Sequence, residues 1–120
     1  MNNFKKVKSS LDIIDIDYKD ALEIKLDDAT VKIYDDEVRL KVLNKTFDKT
    51  YRMLLSLILD VETGDENGNE IILTIEEEIK KLKLFLRNYG KFLSKEELKK
   101  YQKMIMILEE KVPERKKRGR

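Results

Sequence analysis

The chain has 120 residues, of which 42% are charged and 41% are hydrophobic, and its formal net charge is +2. This length predicts one domain with a substantial core, and the sequence lacks the run of about 18 apolar residues that a membrane-spanning helix needs. It contains neither cysteine nor histidine, which excludes disulfides, thiolate metal sites and the commonest general base. The first residues lack a signal-peptide core, so we expect an intracellular, cytoplasmic protein.

The charge is unevenly distributed along the chain. Residues 1–70 carry 11 basic and 16 acidic side chains, whereas residues 71–120 carry 15 basic and 8 acidic ones. This asymmetry suggests either an anionic partner for the carboxyl-terminal part or head-to-tail association between copies. Two solvated faces of different charge are the simpler alternative.

Alternating apolar and polar residues between about residues 11 and 43 predict an antiparallel β-meander of three or four strands. The apolar positions of this pattern are Ile14, Ile16, Leu22, Ile24, Leu26, Val31, Ile33, Val38, Leu40 and Val42. Two aspartate pairs, Asp27-Asp28 and Asp35-Asp36, lie where tight turns between strands are needed, and aspartate tolerates the backbone angles of such turns.

Three helices are predicted after the meander. The first, at about residues 46–62, is apolar on nearly all sides, so we expect it to be buried between the sheet and the other helices. A β-hairpin of residues 57–62 and 70–74 is the alternative. The second and third helices, at about 75–89 and 95–112, have facing apolar stripes and predict an antiparallel helical hairpin.

Local signals support the helical hairpin. Thr74 and Ser94 each precede a glutamate by three residues, which is the spacing of a capping box. Gly90 lies where a left-handed carboxyl-terminal cap would end the second helix. Together the elements predict a single α+β domain over residues 1–113, followed by a basic tail over residues 114–120.

An acidic cluster precedes the second predicted strand and consists of Asp12, Asp15, Asp17 and Asp20. Paired carboxylates can hold Mg²⁺ or act in glycoside hydrolysis, and Asp15 and Asp17 would share one face of a strand. We interpret them instead as the solvated strand face opposite Ile14 and Ile16. The chain also has no phosphate-binding loop, nucleophile elbow or zinc signature. We therefore expect no enzymatic activity, no metal, no cofactor and no small-molecule substrate.

Several apolar residues of the helical hairpin lie outside or at the edge of its stripes, and they suggest a contact surface. These residues are Leu84, Met104, Met106 and Ile107. Methionine is common on adaptable binding surfaces, although packing against the sheet or the first helix is the alternative. The leading hypothesis is a non-enzymatic protein–protein interaction, adaptor or assembly module that binds itself as a homodimer or binds another protein. Its small size and charge-rich composition are compatible with an accessory protein of a virus or mobile element.

The second hypothesis is a nucleic-acid-binding accessory protein. The outer face of the sheet would present a possible stacking platform, Tyr34, among the cations Lys25, Lys32, Arg39 and Lys41. The tail offers contacts to DNA or RNA phosphates through Arg115, Lys116, Lys117, Arg118 and Arg120. The single aromatic residue on this face and the dense acidic residues nearby count against this hypothesis.

Overall fold

A computed structural model describes residues 10–17, 20–64 and 68–114. The elements in chain order are a 3₁₀ helix (Ser10–Ile13), strands β1 (Ile14–Ile16), β2 (Leu22–Lys25) and β3 (Thr30–Ile33), helices α1 (Asp36–Glu62) and α2 (Gly68–Tyr89), a second 3₁₀ helix (Gly90–Phe92) and helix α3 (Lys95–Lys111). The predicted α+β class is confirmed, because an antiparallel sheet precedes three helices. None of the helices in the described ranges combines the length and apolar composition needed to cross a membrane.

The sheet is a meander in the order β1-β2-β3, with both pairs antiparallel. Its register places Ile14 opposite Ile24 and Ile24 opposite Val31, while Leu22 lies opposite Ile33. Side chains alternate between the two faces of a strand, so these apolar residues share one face. Ile14 and Leu22 on this face are 8% and 0% exposed and join the core.

The predicted fourth strand is wrong, because Val38, Leu40 and Val42 belong to helix α1. The Asp35 side chain accepts a hydrogen bond from the backbone N–H of Val38 at 3.0 Å, which makes Asp35 the amino-terminal cap. Asp36 follows in the first turn, where a negative charge interacts favourably with the helix dipole. The aspartate pair that suggested a hairpin turn therefore starts a helix.

Helix α1 is buried along one face. Its buried residues recur every three or four positions and are Leu43, Thr46, Phe47, Thr50, Leu54 and Ile58. The burial on nearly all sides that the sequence predicted is not found, since Met53 and Leu59 are 37% and 59% exposed. The helix has 27 residues and is therefore about 40 Å long, and it packs against α2 and α3 on one side.

Helix α2 begins at Gly68, seven residues before the predicted start. Ile71 and Ile72, each 2% exposed, extend the buried stripe in the amino-terminal direction, so burial outweighs the capping preference of Thr74. This helix also rules out the alternative β-hairpin. The predicted cap at Gly90 is wrong as well, because Gly90 starts a 3₁₀ helix, and the described glycine with positive φ (88°) is Gly64.

The capping box at the start of α3 is confirmed. The Ser94 hydroxyl accepts a hydrogen bond from the Glu97 backbone N–H at 3.1 Å, and the Glu97 carboxylate accepts one from the Ser94 backbone N–H at 3.0 Å. Helix α3 ends at Lys111, two residues before Pro113. The sequence therefore placed this helix within a residue of its observed ends.

One hydrophobic core combines residues of β1, β2 and all three helices. Two tyrosine hydroxyls connect parts of this core. Tyr89 of α2 donates a hydrogen bond to the backbone oxygen of Ile14 at 3.1 Å. Tyr101 of α3 donates one to the side-chain oxygen of Asn44 in α1, and its ring stacks on Phe47 with 4.1 Å between centroids.

Candidate interaction surfaces

The outer face of the sheet carries charges of both signs. The lysines on this face form ion pairs within the sheet region, Lys25 with Asp15 at 3.2 Å and Lys32 with Asp17 at 3.5 Å and Glu23 at 3.8 Å. The hydrogen bond to Asp17 raises the pKa of Lys32 above its ordinary value. The cations predicted to bind nucleic acid here are therefore already partnered by carboxylates of the same chain.

Among the other predicted nucleic-acid contacts, Arg39 and Lys41 do not join this face. Tyr34 follows β3 and is 59% exposed, whereas Arg39 and Lys41 lie on α1, so placing them on the sheet was wrong. The Arg39 guanidinium donates hydrogen bonds to the Asp20 backbone oxygen and to Asp36. The tail residues Arg115, Lys116, Lys117, Arg118 and Arg120 lie outside the described residues.

The four aspartates of the acidic cluster point to different partners. Each forms an ion pair with a different lysine at N–O distances between 3.0 and 3.5 Å: Asp12 with Lys81, Asp15 with Lys25, Asp17 with Lys32 and Asp20 with Lys91. Within residues 10–17, 20–64 and 68–114, no group of three or more potential ligands is arranged to hold a metal ion. In this arrangement the aspartates connect segments of the fold.

One buried carboxylate belongs to the same network. Glu78 of α2 is 3% exposed and forms an ion pair with Lys81 at 3.0 Å. Lys81 also reaches Asp12 at 3.0 Å, so it links α2 to the first 3₁₀ helix. One Glu78 carboxylate oxygen lacks a hydrogen-bond partner among the described residues.

The predicted partner-binding residues do not form one patch. Met106, which is 59% exposed, lines a shallow groove between α2 and α3 together with Lys83. Leu84 is 53% exposed, but it lies one residue from Lys83 and hence about 100° further round α2. Met104 and Ile107 are half-buried, and Met104 packs against the core. Their role in partner binding stays a prediction.

A more continuous apolar surface lies at the far end of the sheet. Along the inner face, Leu22 is fully buried, Ile24 is half-buried, and Val31 and Leu26 are 44% and 51% exposed. We call Ile24, Leu26 and Val31 the open sheet end. Sequence reasoning assigned these residues to a buried face, because alternation predicts which side they occupy but not how far the helices extend over them.

A second surface runs along the outer side of α1. Lys41, Lys45, Lys49 and Arg52 are all exposed and line one shallow depression together with Asn44 and Asp48. We call these four cations the basic stripe. Steps of four and three residues place them within an arc of about 80° on the helix. The sequence contains this signal, but it is hidden when Lys41 is assigned to a strand and thereby separated from the three cations that follow it.

Comparison with known proteins finds no matching family model, no similar curated protein and no similar solved structure. Function is therefore inferred from the chemistry of the open sheet end and the basic stripe.

Proposed function

We propose that this chain is a non-enzymatic assembly module that associates with a second copy of itself through the open sheet end. The supporting observation is the loss of cover along the inner sheet face, from fully buried Leu22 to Val31 and Leu26 at 44% and 51% exposure. Contiguous apolar surface on a small protein usually marks a contact. A cytoplasmic setting is part of this proposal.

The edge of β3 supports pairing between copies. Within the described sheet, β3 has β2 on one side, so its other edge offers backbone N–H and C=O groups to an added strand. Lysine often prevents such pairing through its charge. Here the charge of Lys32 is compensated by Asp17 and Glu23 of its own chain, which weakens that protection.

A two-fold axis gives the simplest arrangement of the pair, because the same patch then serves both copies. Residues opposite each other in an antiparallel pair must point to the same face. Placing Val31 opposite the Val31 of the second copy meets this condition and brings Thr30 opposite Lys32. The two inner faces then continue into each other, and each Leu26 gains apolar neighbours.

The test compares two leucines of nearly equal exposure. Leu26 at the open sheet end is 51% exposed and Leu84 on α2 is 53% exposed, so Leu26→Lys and Leu84→Lys change net charge and exposed apolar surface alike. Sedimentation equilibrium from micromolar to millimolar concentration should show a dimeric wild type, a monomeric L26K variant and a dimeric L84K variant.

Two other results would contradict the proposal. Dissociation by L84K with retention of the dimer in L26K would move the interface to the helices, where the sequence hypothesis placed it. A wild type that stays monomeric over the whole concentration range would remove self-association altogether. Circular dichroism of both variants checks that the fold is retained, which we expect because both side chains are half exposed.

A further inference from the structure

We propose that the basic stripe is a docking surface for double-stranded nucleic acid and contacts its phosphate backbone. The stripe presents four exposed cations along one side of α1, and they share one depression of the surface. This inference is independent of self-association, because the stripe and the open sheet end involve different elements.

The pairing of the four cations can be compared with that of other cations in the described part of the chain. No described residue forms an ion pair with any of them, whereas six other described cations have a carboxylate partner: Lys25, Lys32, Arg39, Lys81, Lys83 and Lys91. Like charges four residues apart on a helix repel each other. An anionic ligand along α1 would relieve this repulsion, and this relief would make its binding free energy more favourable. The sheet lysines cannot contribute in this way because they are already paired with carboxylates.

One acidic side chain lies among the cations of the stripe and also interacts with another element. Asp48 lines the same depression, but it is close enough to Tyr101 of α3 to help raise the pKa of that tyrosine, after the larger effect of burial. Lys100, whose Nζ lies 6.0 Å from the Tyr101 ring centroid, adds a cation at this border. The stripe therefore keeps a net positive surface despite Asp48.

The dimensions suit a phosphate backbone. Lys41 and Arg52 are eleven positions apart, which corresponds to a length of about 16 Å along α1. A duplex carries one negative charge per about 1.7 Å of its axis, so a stripe of this length can meet a separate phosphate with each cation. Contacts of this kind bind the duplex without reading its sequence.

The aromatic residues beside the stripe favour a duplex over a single strand. Phe47 and Tyr101 are 0% and 3% exposed, and Tyr51 is half-buried and packs against the core. Proteins that bind single strands commonly stack bases on exposed aromatic rings. The rings around this stripe face inward, which leaves its cations and the phosphate backbone as the matching chemistry.

The experiment is a fluorescence-anisotropy titration of the full chain with a labelled duplex of mixed sequence. Four phosphate contacts predict a slope of log affinity against log salt of about −3.6, or about a 150-fold loss of affinity between 50 and 200 mM salt. The variant Lys45→Gln with Lys49→Gln should weaken binding about tenfold per lysine at 50 mM salt and flatten the slope by about 1.8. Unchanged thermal melting checks that the variant is folded.

The matched control is Lys83→Gln with Lys91→Gln. It makes the same change in net charge but removes lysines that already form ion pairs with Glu109 and Asp20, away from both the stripe and the β3 edge, so the proposal predicts nearly unchanged binding. Equal weakening by both double variants would mean that only net charge matters and would overturn the proposal.

Further measurements distinguish a duplex from other anionic partners and the stripe from the basic tail. Single-stranded DNA binding as tightly as the duplex, or anionic phospholipid vesicles binding more tightly, would overturn the assignment of a duplex. A chain lacking residues 115–120 should still be weakened by Lys45→Gln with Lys49→Gln. If this truncation alone abolishes binding, or if the intact chain binds no duplex at low salt, the stripe is not the docking surface.

Discussion

The outer face of the sheet and the outer side of α1 both carry dense charge, but they differ in how it is balanced. On the sheet, neighbouring strands bring Lys25 and Lys32 within 3.8 Å of carboxylates. On α1, helical spacing brings lysines next to one another and none is paired with a described residue. The number of cations in a segment therefore says little about its use, since strand register and helix phase decide whether a charge is already compensated.

The largest expected effect tests how α1 is anchored, since the stripe stays in place only if the opposite side of the helix is fixed. Phe47, on the buried side, is fully buried and stacks on Tyr101. We expect Phe47→Ala to lower the free energy of unfolding by about 3–5 kcal/mol, measured by urea denaturation. Leu59→Ala, at a position 59% exposed, should change it by less than about 0.5 kcal/mol. Equal losses would contradict the observed orientation of α1.

The next largest effect is expected where the sheet and α1 are attached to the core. Tyr89 holds β1 and Tyr101 holds α1, each through one hydroxyl hydrogen bond. Replacing either by phenylalanine should lower the free energy of unfolding by about 1 kcal/mol. Native-state hydrogen exchange should then report faster opening of the sheet in Tyr89→Phe and of α1 in Tyr101→Phe. The same pattern in both variants would show that the two attachments are not separate.

The ionisation of these tyrosines also predicts that the fold loses stability at alkaline pH. Burial raises the pKa of both Tyr89 and Tyr101 from 10.0 to about 12, so folding favours the neutral hydroxyl. Their contribution to stability is complete below the unfolded pKa near 10 and is lost as the pH rises from there through about 12. Denaturation across this range should show a smaller loss for Tyr101→Phe than for the wild type.

A smaller effect concerns the ion pairs of the sheet. A double-mutant cycle of Asp15→Asn and Lys25→Gln should give a coupling free energy of about 0.2–1 kcal/mol, as is usual for an exposed pair. Hydrogen bonds from the Ile16 backbone and then from Lys25 lower the pKa of Asp15 below 3.8. The Asp15 contribution is therefore present above that pH and lost as the pH falls below it, which urea denaturation of wild type and Asp15→Asn can measure.

The smallest expected effect has the opposite sign. Lys45 has lysines four residues away in both directions, Lys41 and Lys49, and like charges at this spacing destabilise a helix. Lys45→Gln should therefore raise the free energy of unfolding by about 0.2–0.5 kcal/mol at low salt, and the gain should vanish at high salt because screening removes the repulsion. A lower free energy of unfolding would mean that the charge of Lys45 interacts favourably with other groups of the folded protein.

Sequence reasoning succeeded where local signals and core packing agreed. The Ser94 capping box and the apolar stripe of α3 specified the same helix, and the structure contains it. It failed at Asp35 and Asp36, because aspartate pairs serve both hairpin turns and helix starts. The alternation after them could not decide between these outcomes, since Val38 ends 45% exposed on a helix.

The two surfaces were harder to predict than the fold. The basic stripe becomes visible only when Lys41 is assigned to the same helix as Arg52, and the strand assignment broke that series. The open sheet end depends on where the helices stop covering the sheet, which follows from tertiary packing rather than from any local pattern. Leu84 and Met106 were correctly picked out as apolar residues away from the core, but helix phase separates them.

Arg39 has a consequence for how this chain unfolds. Its guanidinium donates to the Asp20 backbone oxygen at 2.6 Å, contacts Asp36 and lies 4.1 Å from the centroid of the Phe92 ring. One side chain thus joins the β1–β2 turn, the first turn of α1 and the connection before α3. Melting any one of these segments removes one of the three contacts of Arg39, so we expect the stabilities of these small and otherwise peripheral pieces of the chain to be coupled.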